Sequence, residues 1–338
     1  VGKEGVILSD ILPKVSIIVS TMNNEATIEE CLQALLSQNY PIDNLEIILV
    51  DGGSKDKTVE LAKKYPVKIY QTVLNCPAAY NFAQKLALYP ILGFVDSDAK
   101  VEPDWLRKLV PHIADSSVGG VSGSIDTWNT DNPWARSIGY ELKTRYRRIG
   151  KYTKRIATMN LLLKKAVLEE VGGWAEDMPS QYDTEFGYRL VLKGYKIAYE
   201  PSSVCYHFNR SSTQKFYRQQ LQYGKNTLRL YLKHGTLAQG DEITDVGMNI
   251  QPIWLLVTMT SFLLGIIPPL RLLWYLSGIL FLAMTAYYIY SATKIAIEFK
   301  DKSAMRLIIL YYIRSFAWFT GAIITTIAYI GGKRRYGK

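Results

Sequence analysis

From Pro252 onward the chain almost stops carrying charge. Pro252 to Pro268 and Leu272 to Ala292 contain no charged side chain, and Leu307 to Ile330 has only Arg314. A helix needs about 20 apolar residues to cross a bilayer core, and these stretches are of that order. Trp254, Trp274, Tyr287, Tyr288, Tyr311, Tyr312 and Tyr329 stand near their ends, where aromatic rings favour the membrane–water interface. A buried helical core has a similar composition, but successive runs with aromatic ends favour the membrane. The expected organisation is a globular domain over 1–235 ending in an interfacial helix at about 213–235, and a linker over 236–251. A hydrophobic region of three segments over 252–331 and a basic tail over 332–338 follow.

At 338 residues the chain exceeds one ordinary domain, which fits this division. No charged n-region followed by an apolar run opens the sequence, so a cleaved signal peptide is not expected and the globular part is placed on the cytoplasmic side of the cell membrane. Cys31, Cys76 and Cys205 lack the paired spacing of a zinc or redox site, which fits a reducing compartment. The net charge of +10 suits nucleic acid, anionic lipid or phosphorylated substrates. With hydrophobic segments in the same chain, lipid and phosphate are the expected partners and nucleic acid is not. Nothing in the chain fixes an oligomeric state.

Upstream, short apolar runs alternate with helical patterns. VSIIV (Val15 to Val19) reads as a strand buried on both faces, and LEIILV, VKIY and ILGFV read as further strands. Between them lie helices at about Ala26 to Ser37, Lys57 to Lys64, and Ala78 to Leu88 opened by Pro77. Such alternation predicts an α/β fold with right-handed crossovers and a mixed, mostly parallel sheet. Ligands bind such sheets at the carboxyl ends of the strands. Thr21, Asn23, Glu25, Asp51, Asp96 and Asp98 all fall there. A dinucleotide-binding domain is excluded, because no GxGxxG follows the first strand and STMNNE cannot bring backbone as close to a pyrophosphate. Asp51 taken alone can equally cap the next helix.

Asp96 and Asp98 flank Ser97 in GFVDSDAKVEPDWL. Two close carboxylates repel unless a cation or donors lie between them. A hard divalent ion, Mg²⁺ or Mn²⁺, suits such oxygen ligands and also takes substrate phosphates; the alternative is an acidic helix N-terminus. Further on, Asp183 and Glu185 open a helix over Thr184 to Leu192 that stops at Gly194, and KIAYEP leads to His207. Asp183 is placed as a general base or as a cap. Glu185 and Arg189 are spaced as an i,i+4 pair. His207 is either a buried imidazole or a metal ligand.

In order and spacing, VSIIVSTMNNE, IILVDGGSKDKT, PAAYN, GFVDSDAKVEPDWL, NLLLKKAVLEEVGGW, YDTEFGYRLVLKGYKIAYEP and RQQLQYGK resemble the family 2 glycosyltransferases of GT-A fold. The likeness covers roughly Val15 to Gly235, especially to members with a hydrophobic C-terminal region that extend lipid-linked glycans, of the succinoglycan glucosyltransferase type. It implies inverting, metal-dependent transfer from a UDP- or GDP-sugar to a lipid-linked or polyprenyl acceptor. On it, Thr21, Asn23, Glu25, Asp51, Asn81, Asp96 and Ser97 bind the nucleotide sugar. Asp98, Asp96 and His207 hold Mg²⁺ or Mn²⁺, and Asp183 deprotonates the acceptor hydroxyl. Trp174, Glu185, Arg189, Arg218, Gln219 and Tyr223 face the acceptor or lipid.

The departures matter too. Ser20 and Met22 replace the family's usual proline and aromatic, Tyr182 stands where a second acid precedes the base, and no basic residue lies between Leu74 and Tyr80. The Gln-x-x-Arg-Trp signature of processive synthases is absent, with Arg218, Gln219 and Tyr223 a distant relative, so transfer of one sugar is expected. Arg136 to Arg155 interleaves cations with Tyr140, Tyr146 and Tyr152, either as a solvated face or to meet anionic lipid. A polyprenyl-phosphate hexose synthase and a catalytically silent scaffold are the alternatives.

Overall fold

The computed structural model describes residues 12–331, so the basic tail over 332–338 lies outside the described residues. Two compact units divide them: 12–125, 150–176 and 182–207 form the first, and 126–149, 177–181 and 208–331 the second. The second unit thus begins well before 235, taking in three stretches (126–149, 177–181 and 208–235) that the sequence reading gave to the globular domain.

In the first unit the chain runs β1 (Val15–Thr21), α1 (Ile28–Leu36), β2 (Leu45–Asp51), α2 (Thr58–Ala62), β3 (Lys68–Gln71), α3 (Cys76–Leu86) and β4 (Ile91–Phe94). These strands pair in parallel, β1 with β2 and β4, and β2 with β3. β1, β2 and β4 are buried on both faces, as parallel strands covered by helices must be, whereas Lys68 and Gln71 of the edge strand β3 are exposed. On α1, Ile28, Cys31, Leu32 and Leu35 face the core. At α3 the Asn75 side chain accepts from the Ala78 amide at 3.1 Å and Pro77 sits in the first turn, where its missing N–H costs nothing.

The parallel pattern then stops. β5 (Ala99–Val101) follows β4 after only residues 95–98, too short for a parallel crossover. Next come α4 (Trp105–Ile113), β6 (Val118–Thr127), α5 (Pro133–Tyr146), β7 (Tyr152–Thr153), β8 (Leu161–Lys164), α6 (Lys165–Val171), α7 (Tyr182–Leu192) and β9 (Lys196–His207). The sheet order is β3-β2-β1-β4-β8-β6-β9-β5, with β7 on β9. β8 is antiparallel to β4 and β6, and β9 is antiparallel to β5 and β7. The sheet is therefore mixed: parallel across β1 to β4, with β8 antiparallel to both its neighbours and with β5 and β7 antiparallel to β9.

The second unit contains α5, α8 (Thr213–Lys233), α9 (Val246–Leu264), α10 (Leu272–Glu298) and α11 (Leu307–Ile330). Its core joins Ile138, Phe216, Met284, Tyr288, Leu307 and Leu310. Among the described residues three helices are long and apolar enough to cross a membrane: Val246–Leu264, Leu272–Glu298 and Lys302–Ile330. α8 packs along α11, with Gly224 and Gln220 at the crossing.

Candidate active site

The carboxyl ends of β1, β2 and β4 gather the site in the first unit. Thr21 and Asp51 close neighbouring strands and are register partners. Asp51 is fully buried and wrapped by its own turn: it accepts from the Gly53 amide (3.1 Å), the Ser54 amide (3.1 Å) and Ser54 Oγ (2.5 Å). That turn needs Gly53, whose φ of 96° is costly for residues with a Cβ.

Loops 22–25 and 52–57 are latched together. Asn23 Oδ1 accepts from the Lys55 amide (2.8 Å), its own amide donates to Ser54 Oγ (2.8 Å), and Glu25 Oε2 accepts from the Lys57 amide (3.0 Å). Asn23 and Glu25, expected on the donor, thus have their side chains on the neighbouring loop. Asn24, which sequence reasoning passed over, donates Nδ2 to Ser97 Oγ at 2.8 Å and ties this edge to the paired carboxylates.

The two aspartates differ in surroundings. Asp96 Oδ1 accepts from Tyr80 Oη and Thr158 Oγ1, each at 3.1 Å, so this oxygen is held by core hydroxyls. Burial, and then the charge of Asp98, hold its carboxyl above the usual carboxylate range. Asp98 keeps 18% of its side chain exposed and places Oδ1 3.4 Å from His207 Nε2. The sheet dictates this meeting, because Ala99 and His207 are register partners of β5 and β9. Carboxylate oxygen and imidazole nitrogen at this separation suit one divalent ion. Among the described residues no three His, Cys, Asp or Glu side chains are grouped to hold an ion, so substrate oxygens would have to complete its shell. The expected third ligand, Asp96, has one oxygen already committed to Tyr80 and Thr158.

Asp183 lies in the first turn of α7, with Oδ1 accepting from the Thr184 amide at 2.7 Å. Burial raises its carboxyl above the ordinary range, against hydrogen bonds and Arg155 that lower it. Its neighbour Tyr182 places Oη 3.2 Å from Thr158 Oγ1 and 3.2 Å from Cys76 Sγ. Tyr182, Thr158, Asp96 and Tyr80 thereby form one hydroxyl–carboxylate chain. Sequence reasoning saw Tyr182 only as a lost acid and missed Thr158 and Tyr80. A hydroxyl three residues before a buried strand carries no signal of its own.

Four other expected site residues are structural. Trp174 is 2% exposed and packs against Tyr80, Phe94, Tyr182 and Phe186, not against an acceptor. Asn81 clamps that tryptophan's backbone, accepting from its amide (2.8 Å) and donating to its carbonyl (2.9 Å), which leaves the side-chain amide little freedom to line a donor pocket. Glu185 is fully buried and pairs with Arg189 at 2.8 Å, while Arg189 also donates to the Gly173 carbonyl at 2.6 Å. The pair ties α7 to the turn after α6. Arg218, Gln219 and Tyr223 lie on α8 in the second unit.

A mixed sheet whose parallel strands end in clustered carboxylates, with an antiparallel β5–β9 pair that returns a histidine to them, is the GT-A glycosyltransferase fold. Residues 16–172 match the family described as Glycosyl transferase family 2. Glycosyltransferase AglE of Haloferax volcanii is 26% identical over 234 residues, covering 67% of this chain and 76% of that one. The dolichyl N-acetyl-alpha-D-glucosaminyl phosphate 3-beta-D-2,3-diacetamido-2,3-dideoxy-beta-D-glucuronosyltransferase of Methanococcus voltae is 29% identical over 62% of this chain and 71% of its own. In fold, the chain resembles the mannosyltransferase PcManGT from Pyrobaculum calidifontis, solved with GDP-Man and Mn2+, at a TM-score of 0.59 and 19% identity over 94% of this chain and 88% of that chain. Residues 16–172 thus form a glycosyltransferase domain of family 2.

Proposed function

We propose that the protein moves one sugar, with inversion, from a nucleoside-diphosphate sugar to a hydroxyl of a lipid-linked acceptor, using a divalent cation. The observation that carries this reading is the Asp98–His207 meeting at the strand ends, 3.4 Å apart, beside the Thr21–Asp51 edge. Thr21 and Asp51 receive the nucleoside, with Asn24 and Ser97 fixing the rim between them and the carboxylates. Asp98 and His207 would hold the cation, which when bound supplies Lewis-acid stabilisation of negative charge on a leaving diphosphate. Asp183 takes the acceptor proton. Burial that resists its ionisation also makes it a stronger base, and the Thr184 amide fixes the orientation of its carboxyl.

The hydroxyl acceptor is preferred to a phosphate acceptor because a phosphate oxygen needs no such base. The Methanococcus voltae relative, whose name describes transfer to a dolichyl-phosphate-linked sugar, supports the same choice. For orientation, Lys300, Lys302 and Arg306 crowd the α10–α11 connection, whereas the α9–α10 connection has only Arg271. By the positive-inside tendency these charges favour a cytoplasmic α10–α11 corner and start of α9, while Lys333, Arg334, Arg335 and Lys338 after α11 favour the opposite side.

The test incubates membranes holding the full chain with a panel of UDP- and GDP-sugars and lipid extract, with Mn²⁺ or chelator, beside Asp98→Ala. Transfer should require the metal and fail in the variant. Transfer surviving both would overturn the metal site.

A further inference from the structure

The hydroxyl chain at the strand ends runs from the paired carboxylates to the helix that carries Asp183, and the direction of its protons is fixed. Tyr80 Oη and Thr158 Oγ1 both donate to Asp96 Oδ1, each at 3.1 Å. A hydroxyl has one proton to give. With that of Thr158 spent on Asp96, its oxygen accepts from Tyr182 Oη at 3.2 Å, and the Tyr182 oxygen accepts from the Cys76 thiol at 3.2 Å. Every proton points toward Asp96, so neither Thr158 nor Tyr182 has one left for a substrate.

Tyr182 is held by its ring as well as its hydroxyl. Tyr80 and Trp174 meet it edge-to-face, with ring centroids 6.1 Å and 5.8 Å away. Thr158 is 3% exposed, so the partner of that hydroxyl has no room to turn aside. Tyr182 is the first residue of α7 and Asp183 the second. The bond from the Thr184 amide orients the Asp183 carboxyl on its own helix, but it does not place the helix. The tie from Tyr182 to Thr158 and Asp96 does. One turn after Asp183, a Cβ on Gly187 would lie 3.0 Å from the Lys154 carbonyl, which sets α7 against the segment leading to Thr158. All these residues belong to the first unit.

The family pattern carries a second acid at the position of Tyr182. An ionised acid only accepts hydrogen bonds and would have nothing to give the Thr158 oxygen. The tyrosine therefore makes this position a donor into the chain that ends on Asp96.

We propose that Thr158 and Tyr182 are positioning residues that tie the start of α7 to Asp96, and so set the base at a fixed separation from the donor carboxylates. This deepens the reading of Asp183 as the base. Misplacing a reacting group by about 1 Å can cost about a hundredfold in rate, so a loosened tie is felt mainly in kcat.

Full-length protein carrying Thr158→Val, Thr158→Ser, Tyr182→Phe, or Thr158→Val with Tyr182→Phe would be compared with the native chain. Amide hydrogen exchange of α7 would be read without substrate, and kcat and donor KM with the nucleotide sugar that the donor panel identifies. Exchange over α7 should be faster in Thr158→Val and Tyr182→Phe, and kcat about tenfold to a hundredfold lower. Thr158→Ser keeps the hydroxyl and should recover native exchange and most of kcat. Donor KM should rise more in Thr158→Val, which takes a hydrogen bond from Asp96, than in Tyr182→Phe, which leaves Asp96 both of its own. The double variant should lose no more kcat than Thr158→Val, because that substitution already cuts the tie. Additive losses, equal kcat in Thr158→Val and Thr158→Ser, or unchanged α7 exchange would overturn the positioning role. Faster α7 exchange in these variants beside full activity in Asp183→Asn would sink the base reading alone and leave the tie standing.

Discussion

Asp98 Oδ1 and His207 Nε2 lie 3.4 Å apart although 109 positions separate them, because β5 and β9 pair with Ala99 opposite His207. Backbone register, rather than side-chain flexibility, brings them together. His207→Ala should therefore raise the Mn²⁺ concentration for half-maximal activity by at least about tenfold while leaving the fold intact, since even outer-shell losses cost about 10–100-fold in metal affinity. Activity measured across a Mn²⁺ titration checks this. An unchanged half-saturation would remove His207 from the site.

Asp183→Asn should lower kcat by about 10²–10⁴ if the residue is the base. In the native enzyme the acid limb of the rate profile should lie above the ordinary carboxylate range, because burial raises this carboxyl. The sign for stability follows from the same shift. A folded-state pKa above the unfolded value contributes stability that is present at low pH and is lost as pH rises through the folded value. At neutral pH the amide should thus raise the melting temperature while removing activity and the acid limb. A variant that is inactive and also less stable would point to a structural role.

Glu185→Ala tests whether the buried pair with Arg189 is structural. Removing one partner of a buried pair typically costs about 3–5 kcal/mol, and the partly exposed Arg189 places this case near the lower end. The midpoint of chemical denaturation should fall accordingly, with the acceptor KM of the remaining folded enzyme unchanged. A raised KM at unchanged stability would return Glu185 to the acceptor side.

The strands of the parallel half were legible because burial on both faces leaves unbroken apolar runs such as VSIIV and LEIILV. β6 was not, because its pattern is broken by glycines that the packing requires: a Cβ at Gly119 would meet Val167 at 3.0 Å, and one at Gly120 would meet the Leu162 carbonyl at 3.2 Å. Among site residues, Asp51, Asp96, Asp98 and Asp183 could be placed from strand ends and a helix start. Asn81, Trp174, Glu185 and Arg189 lie in equally recognisable motifs, yet a motif does not say whether a side chain faces substrate or the core. The Tyr80–Asp96–Thr158–Tyr182 chain joins residues up to 102 positions apart, and nothing local encodes it. Tyr182→Phe keeps the ring against Trp174 and removes that chain's last hydroxyl. It should cost about 1 kcal/mol in denaturation and raise the donor KM through a less fixed Asp96.

The α8–α11 crossing gives a prediction about the second unit. Gly224 and Gly321 let the two backbones approach: a Cβ on Gly321 would lie 2.6 Å from the Lys225 amide nitrogen, and one on Gly224 would lie 2.9 Å from the Trp318 carbonyl. Around this point Trp318 Nε1 donates to Gln220 Oε1 at 2.9 Å and Thr325 Oγ1 donates to the Lys225 carbonyl at 3.0 Å. Backbone cannot swing aside as a side chain can, so Gly321→Leu must separate the helices and break both hydrogen bonds. Overpacking costs about 1–3 kcal/mol, to which the lost bonds add. Thermal unfolding in detergent should show a lower midpoint, and limited proteolysis should cut α8 sooner. Ser315→Ala, which removes a hydroxyl bonded to Tyr288 at 2.6 Å elsewhere on α11, should leave α8 protected. Equal protection of α8 in Gly321→Leu and the native chain would show that α8 is held by the bilayer surface, as its amphipathic sequence first indicated, and not by α11.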